Sequence, residues 1–399
     1  MSEPRVHTGR PIRVANVITR LEGGAGALAL HGAVAMDPAV FGMTIITGSG
    51  GVLADQARAA GIEVIVEPLL RRPIAPHSDL AAGRRLTALF ARRKFDVVHT
   101  HTAKAGVVGR AAARRAGVPR IVHTYHGFPF HQFQPALRRG AYVAVERRLG
   151  RSTDVVLCVG DAVAAEAARR RLAQPSRIVT TGVVVDGPAV EDAAMSARSP
   201  IARARARTLL GLPGAPTAIV GVVGRLTKQK APEDFLAAMA MLDRPDTLAV
   251  WVGSGELSDR IARLAERSGP TRVVLAGERS DVLELLPAFD VFALPSLYEG
   301  LPTAVVEAMI CGVPVVASAV NAVYDLVTPG ETGLLVPPRR PAELAASIRY
   351  LLDSPETASR MAAAAHARVS GRYTAAALRA ALTSAYLPGA AVSDAAAVP

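Results

Sequence analysis

The sequence predicts an α/β protein built from two doubly wound parallel-sheet domains that face one another across a cleft. Three observations lead there. The chain has 399 residues, more than a single hydrophobic core usually supports. Short β-branched runs alternate throughout with Ala/Leu/Arg-rich stretches whose apolar residues recur at helical spacing. The alternation pauses once, over residues 186–216, a stretch rich in Ala, Arg, Ser and Pro, and then restarts. Strands alternating with helices build parallel sheets covered on both faces, so a single pause implies two of them.

In the first half RVANVI, MTIITG, EVIVE, DVVHTH, RIVHTYH, DVVLCVG and RIVTTGVV read as strands; in the second, AIVGVVGR, LAVWVG, RVVLAG, VFALP, VPVVAS and GLLVPP. Each set makes one Rossmann-like domain. The expected division is residues 1–200 and 201–373, with the helical stretch 374–387 folding back across the first domain and residues 388–399 forming a disordered tail. Ligands of open parallel sheets bind beyond the carboxyl ends of the strands, which places the expected active site in the cleft.

Half of the residues are hydrophobic and one fifth are charged, the profile of a globular enzyme and not of a disordered chain. No run approaches ~18 apolar residues, and MSEPRVHTGRP lacks the apolar core of a signal peptide, so a cytoplasmic protein is expected. Cys158 and Cys311 have no metal-like spacing and read as reduced, buried thiols. The net charge of +12 is unevenly spread: 27 Lys and Arg stand against 15 Asp and Glu in residues 1–200, and 19 against 19 thereafter. Such a surface concentrates anions. Nucleic acid fits poorly, since aromatics are 4% of the chain and no basic stretch interleaves them for base stacking. An anionic membrane surface or a phosphorylated substrate fits better.

Four stretches carry the candidate chemistry. LEGGAG follows the first strand, and Gly23 and Gly24 allow backbone N–H groups and a helix start to approach a diphosphate; a plain tight turn is the alternative. VVGRLTKQKAPEDF puts Arg225, Lys228 and Lys230 at the carboxyl edge of the first strand of the second domain, with Pro232 suited to a helix start. In SLYEGLPTAVVEAMICG the turn carrying Glu299, Gly300, Leu301 and Pro302 leads into a helix whose first amides belong to Thr303 and Ala304. Glu307 lies one turn inside that helix, and Val305 and Met309 pack inward. Helix capping is the alternative role for Glu299, but it leaves Glu307 unexplained. At an effective dielectric near 20 a cation ~4 Å from a phosphate oxygen contributes about 4 kcal/mol, against ~0.3–2 kcal/mol from a helix terminus. Arg225 and Lys230 would therefore dominate in holding a diphosphate. No D-x-D and no His/Cys cluster appears, so nothing visible requires a metal or other cofactor.

GRLTKQK, ERSDV, SLYEGLPTAVVEAM and PVVAS together resemble the retaining, nucleotide-sugar-dependent glycosyltransferases of family 4, which have the GT-B fold. The first half, from LLRRPIAPHSDL to VHTYHGFPF, resembles members that build bacterial surface polysaccharides, and the likeness spans Ile12 to about Leu387. It implies that Glu307 holds the ribose of the donor nucleotide and Glu299 the sugar hydroxyls near C3. Arg225 and Lys230 would bind the diphosphate, helped by the amides of Thr303 and Ala304 and by Gly24. Arg279, in GERSD, would lie near the base, and His126, in HTYHGF, would reach the donor sugar or the acceptor hydroxyl. His99, His101 and His123 are expected at the cleft edge or in the core. The family commonly has an acidic residue after GGA, where this chain has Gly26.

These implications make the expected function transfer of a sugar, with UDP the usual carrier, to a hydroxyl with retention of configuration. The favoured acceptor is lipid-linked at the inner membrane face, where Arg84/Arg85, Arg92/Arg93, Arg138/Arg139 and Arg147/Arg148 suit anionic headgroups. A soluble secondary metabolite is the alternative acceptor. A non-catalytic nucleotide-binding protein is a further alternative, which does not account for Arg225, Lys230, Glu299 and Glu307 together.

Overall fold

The computed structural model describes residues 10–71, 74–185, 187–196, 199–212, 218–267 and 271–387. The expected tail 388–399 lies outside them. Two compact units are present, one running to Val184 and resuming at Ala375, the other covering Val185–Thr374.

The first unit carries β1 (Ile12–Ile18), β2 (Phe41–Thr47), β3 (Glu63–Val66), β4 (Val97–His101), β5 (Arg120–Tyr125), β6 (Val155–Cys158) and β7 (Ile178–Thr180) in one parallel sheet of order β3-β2-β1-β4-β5-β6-β7. The second carries β8 (Ala218–Val223), β9 (Thr247–Val252), β10 (Arg272–Gly277), β11 (Val291–Leu294), β12 (Val315–Ser318) and β13 (Leu334–Val336), in the order β10-β9-β8-β11-β12-β13. The central strands coincide with apolar, mostly β-branched runs, because strands covered on both faces need apolar side chains on both. β8, β9 and β11 are buried along almost their whole length.

In each sheet the strand order reverses once, between β1 and β4 and between β8 and β11. The connections leaving such a pair diverge to opposite faces and open a crevice at the carboxyl ends. Arg225 follows β8 and Glu299 follows β11; Gly23 follows β1 and His101 ends β4.

The boundary expected at residue 200 falls instead after Val184. Residues that resemble a linker form the helices Pro188–Ser196 and Pro200–Leu209, and the latter is tied to the second unit by Arg203 to Asp290 (2.6 Å) and Arg205 to Glu284 (2.5 Å). In sequence those arginines are indistinguishable from solvated charge. The helix Ala375–Tyr386 belongs to the first unit, where Leu378 and Leu382 lie against Gly32 and Tyr386 Oη is 2.8 Å from His99 Nδ1.

One ion pair is wholly inside the first unit. Arg110 Nη2 donates to Glu146 Oε2 at 2.6 Å, with side chains 0% and 2% exposed. Tyr125 Oη donates to the same carboxylate oxygen, and Arg110 Nε to the Gly106 carbonyl. Removing one partner of such a pair strands a buried charge, whereas replacing both with apolar groups does not. Glu146→Ala is expected to lower urea-denaturation stability by about 3–5 kcal/mol and the double change Arg110→Met/Glu146→Leu by far less; equal losses would contradict this.

Candidate functional site

The second-unit site grows from the carboxyl ends of β8 and β11. After β8 the chain passes Gly224 and Arg225 into a short 3-10 turn, Lys228–Lys230, and then the helix Pro232–Leu242. The turn is held by Leu297 N–H donating to the Gln229 carbonyl (2.8 Å) and by Gln229 Nε2 donating to the Tyr298 carbonyl (2.9 Å). These bonds stitch the β8 loop to the β11 loop. Gly253 is also required: at φ +131, an added Cβ would lie 2.3 Å from the Gly224 carbonyl.

Lys230 and Glu299 meet there. Lys230 Nζ lies 2.6 Å from Glu299 Oε1, with side chains 15% and 6% exposed. Gln229 Nε2 approaches the other carboxylate oxygen at 3.4 Å, and Glu299 N–H donates to Asn321 Oδ1 at 3.3 Å. Glu299 is thus pinned through both backbone and side chain. It does not cap the following helix, which has no side-chain cap. Lys230 also packs across Gly224, where a Cβ would lie 3.2 Å from its Cε.

Around this pair stand groups without partners among the described residues. Arg225 is exposed and makes no ion pair. The N–H groups of Gly300, Leu301, Thr303 and Ala304 donate to no acceptor, leaving the start of the helix Thr303–Ile310 unsatisfied and with no acidic residue in its first turn. Val305 and Met309 are fully buried. Glu307, between them, is partly buried and unpaired; burial pushes its carboxyl up to about 7. Cys311, one turn on, is a buried thiol pushed up to about 12 by burial and by Glu307, and Cys158 is likewise free and buried. Lys228 is exposed.

Arg279 is engaged. Its Nε and Nη2 form a two-pronged contact with Asp281 at 2.8 and 2.5 Å, and Nη1 reaches the Leu209 carbonyl at 3.4 Å. Its edge donors are thereby occupied, which leaves the guanidinium face, not its charge fork, as the part suited to a flat ring.

The remaining predicted residues belong to the first unit. Gly23 and Gly24 open the helix Gly23–Ala35, exposed, with amides that donate to no acceptor among the described residues. Gly26 is buried, and a Cβ there would lie 2.7 Å from the Leu21 carbonyl carbon. A side chain at 26 would force that backbone apart in this structure. His126 follows β5, with its Nε2 2.9 Å from His101 Nδ1. Burial pushes His126 down to about 4, and leaves His99, His101 and His123 neutral as well. His99 and His123 are held by Thr124 and Thr100, respectively.

Sequence reasoning missed Gln229 and Asn321, which hold Glu299, and Asn16, which stands behind His126 through His101; His101 itself was expected at the cleft edge or in the core and is buried. Gln229 lies inside the basic motif and was readable as its polar member; Asn16 and Asn321 carry no local signal.

No group of three or more His, Cys, Asp or Glu that would hold a metal ion occurs among the described residues, and no helix among them is long and apolar enough to cross a membrane.

Comparison with known proteins gives the family. The model of glycosyl transferases group 1 matches residues 213–368, and that of glycosyltransferase family 4 matches residues 23–186. The UDP-Gal:alpha-D-GlcNAc-diphosphoundecaprenol alpha-1,3-galactosyltransferase of Escherichia coli is 32% identical over 302 residues, 74% of this chain and 76% of that protein. A D-inositol 3-phosphate glycosyltransferase of Streptomyces griseus is 33% identical over 313 residues, 71% of this chain and 65% of that one. Among solved structures, Anabaena HepE in complex with UDP and glucose superposes with a TM-score of 0.78 at 21% identity, covering 93% of this chain and 98% of that one; this likeness speaks to fold. With both domain models matched in order and a relative of this identity and coverage, the chain belongs to the GT-B glycosyltransferases of family 4.

Proposed function

We propose that this enzyme moves a sugar from a UDP-sugar to a hydroxyl of a lipid-diphosphate-linked acceptor at the inner membrane face, with retention of configuration. The observation that carries the donor assignment is the set of unsatisfied groups at the carboxyl ends of β8 and β11. Arg225, four unpaired amides and an unpaired Glu307 supply a cation, N–H donors and a hydroxyl acceptor without partners of their own. A nucleotide-sugar has the matching parts: a diphosphate, ribose hydroxyls and sugar hydroxyls.

In this reading the amides of Thr303 and Ala304, with Arg225 and Lys230, hold the diphosphate. Gly300, Leu301 and Pro302 shape the turn around it. Glu307 accepts the ribose hydroxyls, Glu299 orients the sugar, and the face of Arg279 lies along the base. His126 meets a sugar hydroxyl. The C1–O bond to the diphosphate breaks while the acceptor oxygen bonds C1 on the same face, and the departing phosphate oxygen takes the acceptor's proton. Arg225 and Lys230 stabilise the charge that develops on the leaving group. No metal is assigned a role.

The acceptor assignment draws on the Escherichia coli relative, whose name specifies a diphosphoundecaprenol acceptor, and on one helix of the first unit. Ala136–Gly150 exposes Leu137 (88%) and Val145 (42%) at a two-turn spacing, flanked by Arg138, Arg139, Arg147 and Arg148. Exposed apolar side chains interspersed with arginines on one helix suit an anionic interface. The Streptomyces griseus relative, named for an inositol phosphate acceptor, favours a second reading in which the acceptor is soluble and phosphorylated.

Radiolabel from a panel of UDP- and GDP-sugars, supplied with and without bacterial membranes, is expected to enter the organic phase only with UDP-sugar, membranes and unmutated protein. Glu299→Ala and Arg225→Ala are each expected to lower transfer by at least about 100-fold, the scale of losing one electrostatic contact to the transition state. Label confined to a water-soluble product would establish the second reading; an inverted anomeric centre in the product's NMR spectrum would refute retention.

Glu307 also has a stability signature. Its folded value of about 7 lies above the usual carboxyl value of 4.5. The native state therefore holds the extra proton between those values, so the cost to stability is absent below about pH 4.5, grows through that window and is complete above about pH 7. Glu307→Gln is expected to stabilise the ligand-free protein by roughly 1–2 kcal/mol at pH 8 and to be near neutral at pH 4. Thermal unfolding at the two pH values checks this, and equal effects at both would contradict it.

A further inference from the structure

The hydrogen bonds behind His126 decide where its proton sits. β1, β4 and β5 are neighbours in the first sheet, with Asn16 in register with His99 and His101 with Thr124. Alternation along β4 puts His99 and His101 on one face and Thr100 on the other. From these positions a chain of contacts crosses three strands: Asn16 Oδ1 lies 3.3 Å from His101 Nε2, and His101 Nδ1 lies 2.9 Å from His126 Nε2.

An amide oxygen only accepts, so His101 Nε2 carries the hydrogen. A neutral imidazole protonated at Nε2 has a lone pair at Nδ1, and the contact from His101 Nδ1 must therefore be donated by His126 Nε2. Burial keeps both rings neutral, and the neighbouring His99 and His123 further disfavour a second proton on His101. Neither neighbour offers His101 another partner, since His99 lies between Tyr386 Oη and Thr124 Oγ1 and His123 bonds Thr100. With Nε2 committed, His126 has only Nδ1 left. No partner among the described residues occupies it.

We propose that Asn16 and His101 are positioning residues that lock His126 in its Nε2–H tautomer, so that Nδ1 accepts a hydrogen bond from a sugar hydroxyl. The last clause rests on the reading that His126 meets the sugar. A half-buried, neutral acceptor selects a hydroxyl that can turn its hydrogen inward. The first strand thereby acts on the sugar subsite through two buried side chains that touch no substrate.

Long-range 1H–15N correlation spectra of histidine-labelled protein at neutral pH report the tautomer directly, without substrate. His101 and His126 are expected as Nε2–H forms with unprotonated Nδ1, and Asn16→Leu is expected to release His126 to its Nδ1–H form. The same variant is expected to lower kcat at least about fivefold, the worth of one neutral hydrogen bond, while KM for the nucleotide-sugar changes by less than about twofold. An Nδ1–H tautomer of His126 in the unmutated protein would overturn the proposal, as would an Asn16→Leu variant that loses the tautomer yet keeps its kcat. An unchanged kcat in His126→Gln would count against the histidine's contact with the sugar, and the ligand-free spectrum separates that failure from failure of the relay.

Discussion

The reversal of strand order in each sheet is the constraint on which the site depends. Between β8 and β11 the outgoing connections leave toward opposite faces, so the backbone at their carboxyl ends cannot close over itself. The ion pair and the unpaired groups of the second unit grow from those two ends: Arg225 and Lys230 from one, and Glu299, the unpaired amides and Glu307 from the other. The first sheet repeats the geometry between β1 and β4, with glycine amides at one end and the histidine relay at the other.

Around the carboxyl ends of β8 and β11 charge is distributed unevenly. Lys230 and Glu299 satisfy one another at 2.6 Å. A partly buried pair of this kind keeps each side chain in place while no ligand is present, and its net contribution to stability is small once desolvation is counted. Arg225 and Glu307 have no such arrangement, and Glu307 responds by holding its proton to about 7. A ligand with hydroxyls for Glu307 and phosphates for Arg225 relieves both at once. At Lys230 and Glu299 a ligand would instead have to compete with an existing contact.

Much of this was legible in the sequence. Apolar, often β-branched runs marked the strands, most plainly the central ones, because strands buried on both faces leave little compositional freedom, and the motifs around Arg225 and Glu299 stood at strand ends where parallel sheets bind ligands. The domain boundary was not legible, because Arg203 and Arg205 resemble solvated charge until Asp290 and Glu284 are seen beside them. Arg279 was readable as a cation in a site loop but not as one already committed to Asp281, a contact set by loop geometry. The relay through Asn16 and His101 depends on register between three strands that are distant in sequence, and no local pattern carries register of that kind.

The most direct measurement is calorimetric titration of the protein with UDP-glucose near pH 7, in two buffers of different ionisation enthalpy. UDP-glucose lacks a phosphate that titrates in this range, so protons exchanged on binding report the protein. If the ribose is held by ionised Glu307, binding releases about half a proton near pH 7, fading toward zero by about pH 9 and absent in Glu307→Gln. Binding with no proton release, or with release unchanged in Glu307→Gln, would contradict the assignment of the nucleotide to this site.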